Sequence, residues 1–187
     1  MKRVLLTVAV ALLIPSAVLA FTPMVGVYFD NGENYYTPAA PFTSFTAALY
    51  IIQSGYYVTG IEYSLETPSD PGHAFMGILD YIMPPSHSAD LGTSAFSGQS
   101  ITYWPPLTGF PTGYDLLVTY EMITFAPCVD MLDYPIVVAP DPRSGFLRGT
   151  YTPDNEFFDI VPLTSILCPS EVGTEEESWG AIKSMYK

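Results

Sequence analysis

His73, in Asp70-Pro71-Gly72-His73, and His87, in Pro85-Ser86-His87-Ser88, are the two histidines of this 187-residue chain, and they are where enzymatic chemistry would first be sought. A metalloenzyme would place histidines at ligand spacing, as in H-E-x-x-H, or cluster them with a carboxylate. Neither pattern occurs. A serine hydrolase could draw on Ser86 or Ser88 with His73 and Asp90, but no G-x-S-x-G nucleophile elbow accompanies them. Two solvated histidines in or beside loops are the simpler expectation. Paired carboxylates such as Glu62 and Glu66 say little, because nineteen acids guarantee pairs. Glycoside hydrolysis depends on a spatial separation of roughly 5 Å or 6.5–9.5 Å between carboxyls, which spacing along a chain does not set. No catalytic residue is assigned, and an enzyme is not expected.

Four other groupings could bind rather than react. Asp30, Asn31, Glu33 and Asn34 surround Gly32 and could supply part of a Ca²⁺ shell, which takes six to eight oxygens. The EF-hand spacing is absent, and an ordinary polar turn accounts for the same residues. Asp130 with Asp133, and Asp154 with Glu156, are weaker versions of the pattern. No other cofactor is expected. Trp104, preceded by Tyr103 and followed by two prolines, could offer a flat aromatic face to a sugar ring. Tyr and Trp also favour strands for packing alone, so burial or edge packing is the competing expectation.

Cys128 and Cys168 are the only cysteines. Their chemistry depends on compartment, and the N-terminus addresses that. Met1-Lys2-Arg3 is followed by an uncharged run over residues 4–14, then Pro15-Ser16-Ala17-Val18-Leu19-Ala20. This is the order of an export leader cut after Ala20, and the apolar run is shorter than the about 20 residues a membrane span needs. In an oxidising compartment two cysteines predict one disulfide, closing a loop that stabilises the fold by about 4 kcal/mol. Secretion, to the periplasm, cell surface or beyond, is the expected location, with no membrane span once the leader is removed.

Charge narrows the partners. The leader takes Lys2 and Arg3 with it, which leaves four basic residues against nineteen acids, a net charge of −15. No Lys or Arg occurs in residues 21–142. Nucleic acids need phosphate-neutralising cations and anionic substrates need Arg or Lys, so both are disfavoured. With 49% apolar and 14% aromatic residues the chain is not an acidic disordered segment.

The elements that must position these residues read as strands. Residues 24–29 form a first strand ended by Asp30-Asn31-Gly32. Residues 42–52 follow, with Phe45, Ala47, Leu49 and Ile51 on one face. Residues 56–65 put Tyr57, Ile61, Tyr63 and Leu65 on one side. Period two is the strand signature. Further strands are expected at 75–83, 100–104, 114–125, 136–139, 146–151 and 157–161, with 86–98 a polar loop. In the longest, Leu116, Val118, Tyr120 and Met122 alternate with Leu117, Thr119, Glu121 and Ile123. Eight or nine short strands among 18 prolines indicate an all-β, antiparallel sandwich in one domain over residues 21–169.

Residues 170–187 differ in character. An acidic linker leads to Thr174-Glu175-Glu176-Glu177, a capping box, after which Trp179, Ile182 and Tyr186 share one helical face beside Lys183 and Lys187. A helix this short needs a partner surface. It docks on its own domain, or frays, or serves as a recognition tail read by an export or attachment system or by another subunit.

Val25-Gly26-Val27-Tyr28-Phe29-Asp30 after a leader, Thr59-Gly60-Ile61-Glu62-Tyr63, and the closing Trp179-Gly180-Ala181-Ile182-Lys183 resemble uncharacterised secreted bacterial proteins. The resemblance implies a single immunoglobulin-like or cohesin-like sandwich with a Trp-Gly-x-x-Lys tail, and it brings no catalytic residues. The expected function is thus an exported non-catalytic module with a structural or interaction role at the cell envelope or outside the cell. Its partner is a protein or a glycan that sequence does not name. A carbohydrate-binding module, with or without calcium, is the alternative, and a secreted enzyme the second.

Overall fold

Alternation of apolar and polar residues builds two facing sheets, in which each strand contributes every second side chain to a shared core. The computed structural model describes residues 22–30, 32–52, 55, 57–92, 94–107, 113–153 and 155–170. The leader pattern (1–20) and the tail with Trp179, Ile182, Lys183 and Tyr186 lie outside them. Thirteen strands occur among the described residues: β1 Met24–Phe29, β2 Tyr35–Tyr36, β3 Ser44–Ile52, β4 Val58–Glu66, β5 Met76–Ile82, β6 His87–Asp90, β7 Gln99–Leu107, β8 Tyr114–Thr124, β9 Tyr134–Ala139, β10 Arg148–Tyr151, β11 Glu156–Asp159, β12 Val161–Pro162 and β13 Thr164–Leu167.

One sheet runs β12-β1-β3-β8-β5. The other is organised around β4. On one flank β4 pairs with β7, which pairs with β6. On its other flank β9 and β10 lie end to end: Leu65 faces Val138 and Ser64 faces Ala139, then Glu62 faces Arg148 and Ile61 faces Gly149. Residues 140–147 loop out between them as a flap closed by an Asp141–Phe146 bridge. Strands β13 and β2 extend the sheet beyond β9, and β11 beyond β10.

The flap is held by charge. Asp141 is fully buried and takes both the backbone amide and the guanidinium of Arg143, whose Nη1 also donates to the Leu91 carbonyl at 2.7 Å. Hydrogen bonding from Arg143 outweighs burial and holds the Asp141 carboxyl below the usual range. Gly98 beneath it has φ +98°, and a Cβ there would collide with the Asp141 carboxylate, so only glycine fits.

Between the sheets Phe45, Ala47, Leu49 and Ile51 of β3 meet Ile61, Tyr63 and Leu65 of β4, all buried as expected. Tyr57, expected on the same side, precedes β4 and is 53% exposed, because the bulge between Val58 and Gly60 breaks the alternation. Each large side chain so buried contributes about 1.5–3 kcal/mol. The central strand departs from simple alternation. Leu49 faces Val118 but Tyr50 faces Leu116, so Leu117 is an extra residue, a β-bulge. Leu117 and Val118 therefore both enter the core, and Leu116 joins the outer face instead of sharing a side with Val118. The Tyr103 hydroxyl donates to the Leu117 carbonyl at 3.1 Å, tying the bulge to the opposite sheet. A second tie joins Tyr63, Tyr120 and Gln99. The two phenols contact each other and both reach Gln99 Oε1, while Gln99 Nε2 donates to Asp90.

Several expected boundaries shift for physical reasons. Residues 86–98 are not all loop, because β6 pairs with β7 and a short 3-10 turn follows at Ala95–Ser97. Strand β7 continues through Pro105 and Pro106 to Leu107. Phe146 belongs to the flap, so β10 starts at Arg148. The sandwich is mostly but not wholly antiparallel, because β1 pairs with β12, and β13 with β2, in parallel. Cys128 and Cys168 form the expected disulfide, with Cα atoms 5.2 Å apart.

Candidate functional site

The outer face of the β6-β7-β4-β10-β11 surface collects the exposed side chains best suited to recognition. Along β4 the inward Ile61 and Tyr63 leave Thr59 and Glu62 facing out. Along β7 the inward Ile101 and Tyr103 leave Ser100, Thr102 and Trp104 facing out. Cross-strand register aligns Ser100 with Glu62 and Arg148, and Thr102 with Gly60 and Thr150. The hydroxyls form local ladders: Thr59 donates to Thr150 at 3.1 Å, and Ser88 and Thr102 share a bond of 2.9 Å.

Arg148 is the focus of one side. Its Nε donates to Glu62 Oε2 at 2.8 Å, and its guanidinium carbon lies 4.3 Å from the Phe146 ring centre and 4.0 Å from that of Phe157. Two aromatic rings and a carboxylate thus hold a planar cation at the surface. Phe157 is 60% exposed. Beside this ridge Gly60 floors a shallow hollow of about 240 Å³ lined by Ser100, Thr102, Thr150 and Phe157. A Cβ at Gly60 would meet Thr150 Oγ1 at 2.8 Å and the Ile101 carbonyl at 3.1 Å. Across the sheet Trp104 is 73% exposed and borders an open groove of about 550 Å³ with Thr59, Ser88, Thr152 and Pro153.

The structure separates the aromatic pair proposed from sequence. Trp104 stands out from the sheet and is not packed into core or edge, whereas Tyr103 is 2% exposed and spans the core to Leu117. The two do not form one aromatic face. Burial drives the Tyr103 phenol well above its ordinary pKa, so it is a neutral donor.

Other expected residues fall elsewhere. Asp30 is exposed at the end of β1, where Gly32 donates to the Phe29 carbonyl and Phe29 to the Glu33 carbonyl, each at 2.8 Å. Asn31 and Asp154 lie outside the described residues. Among the described residues no group of three His, Cys, Asp or Glu side chains converges as a metal shell. Asp133 accepts both the amide and hydroxyl of Ser170. The histidines are not simply solvated: His73 stacks on Phe96 at 3.9 Å and bonds Thr67, while His87 lies in β6 with Nε2 buried. Among the described residues neither belongs to a cluster with two carboxylates, and one lies in a loop, the other in a strand.

No protein-family model matches this sequence, and no curated protein sequence matches it significantly. Solved structures do match its fold. A cohesin module from a Clostridium perfringens ATCC13124 family 33 glycoside hydrolase aligns over 80% of this chain and 98% of its own, with a TM-score of 0.51 at 9% identity. The fold is cohesin-like. A second match, CaCohA2 in its complex with a variant of CaDoc0917, covers 78% of this chain and 98% of its own, with a TM-score of 0.50 at 11% identity. On this cohesin-like sandwich the exposed tryptophan and the Arg148 ridge occupy one sheet. Sequence reasoning missed Arg148, Phe146 and Phe157. Aromatic residues two before and nine after Arg148 carried a signal only once β10 and β11 were paired.

Proposed function

We propose that this chain is an exported, non-catalytic protein-interaction module that docks its partner on the outer face of β6, β7, β4, β10 and β11. The observation that carries the reading is the concentration of Trp104, Arg148 and Phe157 on one sheet face, since exposed tryptophan and arginine are the residue types that dominate binding energy at interfaces. Support comes also from the CaCohA2 likeness, a module solved in a complex. The leader pattern and the disulfide support action outside the cytoplasm. The Arg148 cation of this face is already matched by Glu62, and the chain is strongly acidic. A partner with apolar and basic groups complements it; a nucleic acid does not. Among the described residues no helix is long and apolar enough to cross a membrane.

The test is to immobilise the mature chain, expose it to the exported proteins of its source cells, and purify what is retained. Dissociation constants for that protein should then rise at least about tenfold in both Trp104→Ala and Arg148→Ala. A partner held equally by both variants would move the interface elsewhere. A glycan-dependent signal abolished by Trp104→Ala would establish the carbohydrate reading for this face instead.

A further inference from the structure

The opposite sheet carries a trench on its outer face. On β3 the inward Phe45, Ala47, Leu49 and Ile51 leave Thr46, Ala48 and Tyr50 facing out. Register puts Ala48 between Tyr28 of β1 and Thr119 of β8, so a small side chain lies at the bottom of a row of larger ones. The result is a trench of about 400 Å³, floored by Ala48, with the Thr46 and Thr119 hydroxyls beside it and Asp30 at its end. Three phenols line up along it. Tyr28 and Tyr50 lie 5.9 Å apart at 73°, and Tyr50 and Tyr114 lie 5.7 Å apart at 82°. Tyr28 is buried, with only 8% of its surface reaching the trench side or solvent, Tyr50 is half-buried, and Tyr114 is 44% exposed.

We infer that this trench is a binding site for a neutral oligosaccharide, separate from the protein-docking face. Ring faces and the Ala48 methyl match the C–H faces of a pyranose. Phenol and threonine hydroxyls and the Asp30 carboxylate match its hydroxyl groups, in the mixture of apolar lining and few convergent polar groups that small-ligand sites use. Charge selects among ligands. No Lys or Arg occurs in residues 21–142, from which every lining residue is drawn, so an anionic ligand would find no cation. A purely apolar occupant would strand the threonine and aspartate groups on the floor and rim. Burial, with Glu33 nearby, pushes Tyr28 up to about 12, and burial with Tyr114 raises Tyr50, so both phenols keep their donor protons at neutral pH.

The probes are cellohexaose, mannohexaose and chitohexaose, titrated by calorimetry into the full mature chain. At least one should bind wild type. Tyr114→Ala should weaken that binding at least about tenfold. Ala48→Leu removes no contact and fills the floor; it should abolish binding while the melting temperature holds, which separates site loss from unfolding. Trp104→Ala, on the other sheet, should bind like wild type. The inference is overturned if no hexasaccharide binds wild type. It is equally overturned if Ala48→Leu and Tyr114→Ala bind normally, or if Trp104→Ala alone loses the sugar.

Discussion

Arg148 illustrates how one side chain links fold and surface. Its backbone pairs with Glu62 and Asp159, and its head group rests between Phe146 of the flap and Phe157 of β11. Arg148→Lys should therefore not substitute for it, because an ammonium cannot fill a planar slot between two rings. Partner affinity should fall in the Lys variant nearly as far as in Arg148→Ala, and a full rescue would deny the stacked geometry any role. Gly149 next to it is constrained differently. A Cβ there would run into the Phe158 ring, so Gly149→Ala must displace a core side chain and should lower the urea midpoint by an overpacking cost of about 1–3 kcal/mol. Two carboxylates set the acid limit. Asp141 is lowered chiefly by Arg143. Burial works to raise Asp70, but the Phe75 and Ala74 amides and the Tyr134 hydroxyl outweigh it. A carboxyl lowered in the folded state adds stability above its unfolded pKa of about 4, and this is lost as pH falls through the folded value. Chemical-denaturation midpoints should accordingly decline below about pH 4, and less steeply in Asp141→Asn. An identical acid profile in that variant would mean that the flap clamp does not contribute.

At the level of elements, the long apolar alternations were legible and the pairings were not. The faces of β3, and of β4 from Ile61 onward, follow from period two, because one side of each is buried against the other sheet; the bulge between Val58 and Gly60, which turns Thr59 outward, was hidden. Strand β6 escaped notice because His87, Ser88, Ala89 and Asp90 carry no strand preference of their own; pairing with β7 makes them a strand. The bulge at Leu117 escaped for the opposite reason, since a run of apolar residues hides an added one. The tyrosine trench was invisible because residues 28, 50 and 114 meet only through register. The cysteine pair was legible from count and compartment together. Reducing the Cys128–Cys168 bond should cost about 4 kcal/mol, from the entropy restored to a 40-residue loop in the unfolded chain. Denaturation with and without reductant measures it, and equal midpoints would show that the staple is not a stabilising one.

For the whole molecule, the sandwich separates two surfaces by the thickness of its core. One sheet presents Trp104 and the Arg148 ridge, the other a trench of tyrosines and threonines. Sequence reasoning reached the all-β class, and it named Trp104 as a ring face only beside the competing expectation of core or edge packing. Period two already sets the adjacent Tyr103 and Trp104 on opposite faces of a strand, so a shared aromatic face was never compatible with the strand reading; what alternation leaves open is which of the two is inside. The measurement that tests the central claim most directly is oxidative footprinting of side chains in the free chain and in complex with its purified partner. Trp104 and Phe157, 73% and 60% exposed, should react readily when free and be protected in the complex, while Tyr114 on the other sheet reacts equally in both. Protection of Tyr114 with Trp104 and Phe157 left reactive would contradict the docking face proposed for this protein.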